Sequence, residues 1–211
     1  MQKISNKNAY NKIAGQWAEN RRRSFVSRLV TDFGARLAPG ARILDLGCGC
    51  GIPNAEYMSQ RGFSVTGIDA AAEMIRIAEG LQLPNARFEV CDILEYDGGE
   101  PFDAILAWDS LFHLPYAAQA GIFRKIGKWL NAGGLFLFSH SGVDGEITGE
   151  MFGESFYYSG LSTDAVRRVL AEAGFEIEML AEDYRERDTH KGLVVLARLK
   201  RDDVAGPVRL L

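Results

Sequence analysis

Two hydrophobic periods alternate along the chain. Tyr10, Ile13, Ala14 and Trp17 recur at helical spacing and put one apolar stripe on a short helix. Arg21, Arg22 and Arg23 then lead to Ser24, the expected N-cap of a second helix carrying Phe25, Val26, Leu29, Val30 and Phe33. Pro39 and Gly40 stop that helix. Short apolar runs at 41–46, 63–68, 86–91, 102–108 and 135–139 read as strands. Helical patterns lie between the first three: one starts at Pro53 and ends at Gly62, the next covers 70–79 and is closed by Gly80. A third, over 116–130, precedes the fifth strand, which Gly133 and Gly134 introduce. Residues 142–149 hold few apolar anchors and read as a loop. Ser162 or Thr163 opens a last helix that ends at Gly174, and 175–180 and 192–199 are the final strands.

Strands joined by helices require right-handed crossovers and a parallel sheet. The final pair has no helical pattern between its members, only the charged segment 183–191, so those two strands are antiparallel. The pattern therefore predicts an α/β fold, a doubly wound sheet that is parallel apart from one strand. No internal repeat and no low-complexity stretch interrupts it.

Composition narrows the setting. Of 211 residues, 47% are hydrophobic and 25% charged, which is globular rather than disordered. No apolar run reaches the length of a membrane helix, and the polar first ten residues show no secretory signal. Cys48, Cys50 and Cys91 make no disulfide framework, so a reducing, cytoplasmic location is expected. The net charge of −4 argues against nucleic acid as the main partner. That charge is uneven. Residues 1–40 hold eight Lys/Arg and two Asp/Glu, a balance of +6, so the remainder carries −10. The plain account is a solvated basic pair of helices.

The most informative segment is Asp45-Leu46-Gly47-Cys48-Gly49-Cys50-Gly51, a strand running into a glycine turn and then a helix. Such a turn lets a ligand approach the backbone. Asp69 ends the next strand, where a carboxylate can accept both hydroxyls of a ribose, and Asp92 holds the same place after the third. The third glycine of a dinucleotide fingerprint is missing, since Ile52 or Asn54 stands there. Asp45 would repel a pyrophosphate but suits an ammonium group. The expected ligand is a nucleoside with an amino-acid tail. A lone Cys48-x-Cys50 is too little for a metal site, and none is expected.

With ILDLGCGCG at 43–51, VTGIDAAAEM at 65–74, FEVCDIL at 88–94 and FDAILAWDSLFHL at 102–114, the chain resembles the class I S-adenosylmethionine-dependent methyltransferases, closest to their small-molecule branch. The resemblance covers residues 8–200. It implies a Rossmann-like seven-stranded sheet of order 3-2-1-4-5-7-6 with strand 7 antiparallel. It implies an N-terminal helical lid and basic helix over 1–40, a cofactor-binding core over 41–200, and a tail over 201–211. It also implies S-adenosylmethionine as cofactor. Gly47, Cys48 and Gly49 would border the methionine part, with Asp45 near its ammonium. Asp69 would hold the ribose with Ala70 beside it, and Met74 the adenine, which Cys91, Asp92 and Ile93 would frame. Ala107 and Trp108 would lie beside the sulfonium, and Tyr10 and Trp17 would belong to the lid.

Methyl transfer is an in-line displacement that needs alignment and a dry, partly aromatic site rather than a covalent intermediate. Tyr10, Trp17, Trp108, Phe112, Tyr157 and Tyr158 are candidates for its walls, and Asp109 for orienting an acceptor amine. His113, after the fourth strand, is the expected general base, and His140, after the fifth, the second candidate. The N/D-P-P-Y/F motif of nucleic-acid amino-methylating relatives is absent. The acceptor is thus expected to be a small molecule methylated at O or N, without nucleic acid or membrane, by a monomer or homodimer. A non-catalytic S-adenosylmethionine binder and an NAD(P)-dependent oxidoreductase are the alternative readings.

Overall fold

The computed structural model describes residues 4–201. The expected tail, Arg201 apart, lies outside the described residues. The chain opens with α1 (Asn6–Arg22), whose N-cap Ser5 accepts from the Asn8 N–H, and α2 (Arg28–Ala35). Ser27, not Ser24, caps α2. Its Oγ accepts from the Leu29 N–H and donates to Glu186, 2.6 Å away. Glu186 also accepts the Arg28 N–H, so this distant carboxylate sets where the helix begins.

Then β1 (Arg42–Leu46), α3 (Asn54–Gln60), β2 (Ser64–Asp69), α4 (Ala72–Gly80), β3 (Ala86–Val90) and β4 (Phe102–Ala107) alternate. A 3-10 turn at Leu111–His113 leads into α5 (Tyr116–Trp129) and β5 (Leu130–His140). Gly62, with φ +85°, terminates α3 as expected, whereas Gly80 stays helical and Gln82 adopts the left-handed turn. Gly133 and Gly134 fall inside β5, at a register shift against β4, rather than before it.

Two stretches depart from expectation. The segment around 142–149 is not a loop: β6 (Gly145–Met151) and β7 (Glu154–Gly160) form an antiparallel hairpin. Phe152 and Gly153 turn it with φ of 52° and 79°, both positive as a two-residue hairpin loop requires. After α6 (Thr163–Glu172), capped by Ser162, β8 (Phe175–Glu186) and β9 (Thr189–Leu199) extend through the charged 183–191 segment. β8 lies at the sheet edge, so its charged side chains remain in water without destabilising the strand.

The main sheet runs β3-β2-β1-β4-β5-β9-β8, with β9 antiparallel to both neighbours. With the hairpin set aside, this is the expected 3-2-1-4-5-7-6. Successive residues face opposite layers. Leu44, Ile105, Phe136 and Val195 pack under α5 and α6, while Ile43, Ala104, Leu135 and Val194 pack under α2 and α3. α2 thus belongs to the core, through the buried Val30 and Phe33. α1 alone is left to reach over the carboxyl ends of the strands. It packs Ala14 and Ala18 on Cys50, Ile52, Ala71 and Met74, and Ala9 and Ile13 on Phe156 of β7. No helix among the described residues is long and apolar enough to cross a membrane.

Gly67, in the middle of β2, leaves the space that the glycine turn uses. A Cβ there would stand 2.7 Å from the Phe88 ring and 2.8 Å from Cys48 Sγ. Gly67→Ala is therefore expected to cost about 1–3 kcal/mol in urea unfolding. An unchanged midpoint would mean that Phe88 and Cys48 yield freely.

Candidate functional site

The carboxyl ends of β1, β2, β3 and β4 share one sheet edge, where open α/β folds bind ligands. A cavity of about 1060 Å³ lies there, at the upper limit of small-molecule sites.

Its first wall is the turn after β1. Gly47 and Gly49 have φ of +72° and +56°. A side chain on Gly47 would collide with Ser110 Cβ, so only glycine lets the turn pass there. Cys48 lines the same wall, and burial raises its thiol pKa well above the ordinary value, so it stays protonated. Asp69 clasps this turn to α4. Its Oδ2 accepts the Gly49 N–H at 3.0 Å and its Oδ1 the Ala71 N–H at 2.8 Å. Burial raises its pKa while those two N–H groups lower it. Asp45 is buried, and no hydrogen bond from the described residues stabilises its charge. Desolvation first, then neighbouring Asp69, pushes its carboxyl up to about 7.

Ala70, Met74, Asp92 and Ile93 continue the wall, with Asp92 Oδ1 accepting the Leu94 N–H at 2.9 Å. Trp108 and Asp109 form the floor. Asp109 has φ 59° and is held by Ser139, whose hydroxyl lies 3.0 Å from Oδ1, and by Lys191 Nζ, 2.6 Å from Oδ2. Its charge is thereby already matched.

α1 supplies the roof. The rings of Tyr10 and Trp17 meet edge to face at 5.9 Å, and the Arg21 guanidinium lies over Trp17 at 5.4 Å. The Tyr10 hydroxyl is 2.8 Å from His113 Nε2. Asn6 donates to the Tyr157 carbonyl at 2.7 Å and accepts the Tyr157 N–H at 2.8 Å. Both ring nitrogens of His113 are engaged in either tautomer. With the proton on Nδ1, that nitrogen donates to the Tyr157 carbonyl and Nε2 accepts from Tyr10; with it on Nε2, Asn6 donates to Nδ1 and Tyr10 accepts. Burial pushes the His113 pKa down to about 4, so the ring is neutral.

The cavity thus gathers most of the residues singled out from the sequence. Five lie off its wall. Ala107 is buried in the sheet core, and Cys91 packs against that core from the end of β3. Phe112 and Tyr158 stand behind His113, at ring distances of 4.8 and 4.9 Å. His140 is buried, with Nε2 bonded to Gln119 at 3.1 Å and its pKa lowered to about 4 by burial. Lying off the cavity wall, it does not join His113.

The sequence reading missed Asn6, Arg21, Ser110 and Glu146, which also line the cavity. Asn6 and Arg21 were within reach: they lie four residues before Tyr10 and four after Trp17, on the same helix face.

Known proteins resemble this chain in sequence and in fold. A family model described as a methyltransferase domain matches residues 17–180. The chain is 32% identical over 176 residues to a ubiquinone biosynthesis O-methyltransferase of Xanthomonas axonopodis pv. citri, covering 72% of each. It is 30% identical over 155 residues to phosphoethanolamine N-methyltransferase 3 of Arabidopsis thaliana, spanning 70% of this chain but only 31% of that protein. Among solved structures, a SAM-dependent methyltransferase from Methanosarcina mazei aligns with a TM-score of 0.71 at 20% identity, covering 85% of this chain and all of that one. A Burkholderia thailandensis 1,6-didemethyltoxoflavin N1-methyltransferase, solved with S-adenosylhomocysteine, aligns at 0.71 and 22% identity, covering 92% and 87%.

The Asp45 geometry yields a test in the ligand-free protein. Its folded pKa is raised, so the group stabilises the fold fully below about pH 4 and that contribution is lost as pH rises through about 7. Asp45→Asn removes the loss. In urea titrations the variant should therefore gain on the parent progressively from pH 5 to 8. A difference that stays constant with pH would show that Asp45 ionises normally.

Proposed function

The chain belongs to the S-adenosylmethionine-dependent methyltransferases, and from that premise we propose that it methylates an oxygen or nitrogen of a small molecule held between α1, the Leu111–His113 turn and the β6–β7 hairpin. The observation that carries this reading is one continuous cavity with two unlike halves. One half is the glycine turn with its three carboxylates, and the other is roofed by Tyr10 and walled by His113 and Tyr157. Relatives named for O- and N-methylation of small molecules support both acceptor atoms.

The residues fit the cofactor. The glycine turn gives backbone access without a side chain in the way, and Asp69 keeps lone pairs free beyond its two backbone donors. In our reading Asp69 holds the ribose hydroxyls beside Ala70. Met74, Asp92 and Ile93 border the adenine, with the backbone at Cys91 leading into them. Gly47, Cys48 and Gly49 border the methionine part, and Asp45 faces its ammonium, which favours ionisation of that carboxyl. When bound, S-adenosylmethionine supplies a methyl group on a positively charged sulfur.

The chain's own work is alignment and dryness. Tyr10 and Trp17 close the roof and Trp108 the floor, excluding water from the reacting centre. Phe112 and Tyr158 brace the His113 ring from behind. His113 takes the acceptor's proton, and its route to the cavity is the Tyr10 hydroxyl at Nε2.

The direct test offers purified protein and labelled S-adenosylmethionine to a panel of phenols and amines. Turnover of at least one class is expected, whereas binding without any turnover would leave only a cofactor-binding protein. Asp69→Ala should weaken S-adenosylhomocysteine about tenfold or more in calorimetry, because charge-assisted bonds to a ribose are lost. An unchanged dissociation constant would remove Asp69 from the cofactor site. His113→Ala should lower kcat about 10²–10⁴-fold with cofactor affinity retained. Tyr10→Phe, which keeps the ring on Phe156 but cuts the contact to Nε2, should lose part of that rate. Identical pH–rate profiles in parent and His113→Ala would reduce His113 to a roof support.

A further inference from the structure

The opposite edge of the sheet carries a second concavity. α3, α4 and α5 join β1 to β2, β2 to β3 and β4 to β5, but the chain between β3 and β4 forms no helix. A right-handed crossover from β3 to β4 passes over β2 and β1, on the face that α5 and α6 cover elsewhere. Ile93 and Tyr96 of that connection pack in one cluster with Leu46 and Ile68, at the carboxyl half of this face. The amino half is left open as a groove of about 620 Å³, floored by the buried Thr66 and Phe102.

Two arginines line this groove. Arg42 pairs with Ser64 of β2, and Thr66, two residues on, pairs with Arg87 of β3, so both arginines share the face of Ser64 and Thr66. Two strand spacings and two residues separate their Cα atoms, about 12 Å, which two long side chains can span from both ends. Arg87 Nε donates to Thr66 Oγ1 at 3.0 Å, which anchors the guanidinium and leaves its terminal NH₂ groups without a partner among the described residues. Arg42 lies over the Phe102 ring at 5.3 Å and donates to the Glu100 carboxylate at 2.8 Å. Glu100 is the groove's carboxylate, and its side chain is 83% exposed, so the pair contributes little and an incoming anion can displace it.

A guanidinium fork matches the oxygens of a phosphate, and two forks suit a dianion better than a single carboxylate. The groove has the size of a small-molecule site, with room for more than a bare anion. We propose that it binds a phosphate monoester of a small molecule, held by Arg87 and Arg42 with the Ser64 hydroxyl beside them. The groove shares no lining residue with the reaction cavity, so this ligand is independent of the methyl-transfer reading.

The test titrates ribose 5-phosphate and ribose into the full chain by calorimetry at low salt. Ribose 5-phosphate should bind with a Kd below about 1 mM and weaken as salt is added, and ribose should not bind. Arg87→Ala, a change at an exposed position that should leave the Tm unaltered, should weaken ribose 5-phosphate about tenfold or more, and Arg42→Ala should do the same. Arg87→Lys, which keeps the charge but not the fork, should fall between parent and Arg87→Ala. Asp69→Ala, at the other edge of the sheet, should bind it as the parent does. Failure to bind ribose 5-phosphate, equal binding of ribose, unchanged affinity in either alanine variant at an arginine, or loss of binding in Asp69→Ala would each overturn the assignment.

Discussion

The site depends on the two backbone hydrogen bonds that Asp69 accepts. Through Gly49 it holds the turn after β1, and through Ala71 it holds the start of α4. Those two segments carry most of the wall on one side of the cavity, and α1 rests on both by way of Cys50 and Met74. A single half-buried carboxylate therefore joins sheet, turn, helix and roof. It does so against its own charge, which burial disfavours and the two N–H groups only partly restore. Asp45 shows the same desolvation without the compensation, and its carboxyl is displaced to about 7. The two carboxylates differ in hydrogen bonding: Asp69 accepts two backbone N–H groups, and Asp45 accepts none from the described residues.

The roof is fastened differently. α1 touches the sheet core little and is held along its first half by discrete polar contacts: Asn6 on Tyr157, Tyr10 on His113, Asn11 on the Glu73 N–H, and Lys12 on Glu154. Exposed ion pairs such as Lys12–Glu154 contribute little, so the apolar stripe and the part-buried polar contacts hold the helix in place. α1 is thereby fastened to the glycine turn, α4 and β7 rather than to the sheet core.

Most of the sheet was legible because buried parallel strands and their crossover helices repeat two clear periods. The glycine turn, Asp69 and the strand-end residues were legible because each sits at a change of period. The hairpin β6–β7 was not. Its outward residues are polar or exposed, as with Ile147, and its turn is Phe152-Gly153 rather than a familiar Asn-Gly pair. The extension of β8 and β9 through charged residues was hidden for a related reason: residues 183–191 are exposed or half-buried, so burial imposes no apolar alternation there. His140 shows the opposite error. Its place after a strand resembled that of His113, but only the three-dimensional neighbourhood reveals Gln119 filling its ring nitrogen. Ser110 could not be read at all, since its hydroxyl's lack of a partner among the described residues is a property of packing.

Asn6 fastens the roof by reading the main chain of Tyr157, both its carbonyl and its N–H, and nothing of its side chain. The fastening is therefore blind to which residue stands there. The Tyr157 ring and Glu146 across the hairpin line the cavity, and in the reading proposed above they border the acceptor; exchanging them leaves the Asn6 contacts to the main chain in place, at the loss of the bond from the Tyr116 N–H to the Tyr157 hydroxyl. A lineage built on this frame could drift from one acceptor to another by altering hairpin side chains alone, with the closing device inherited intact.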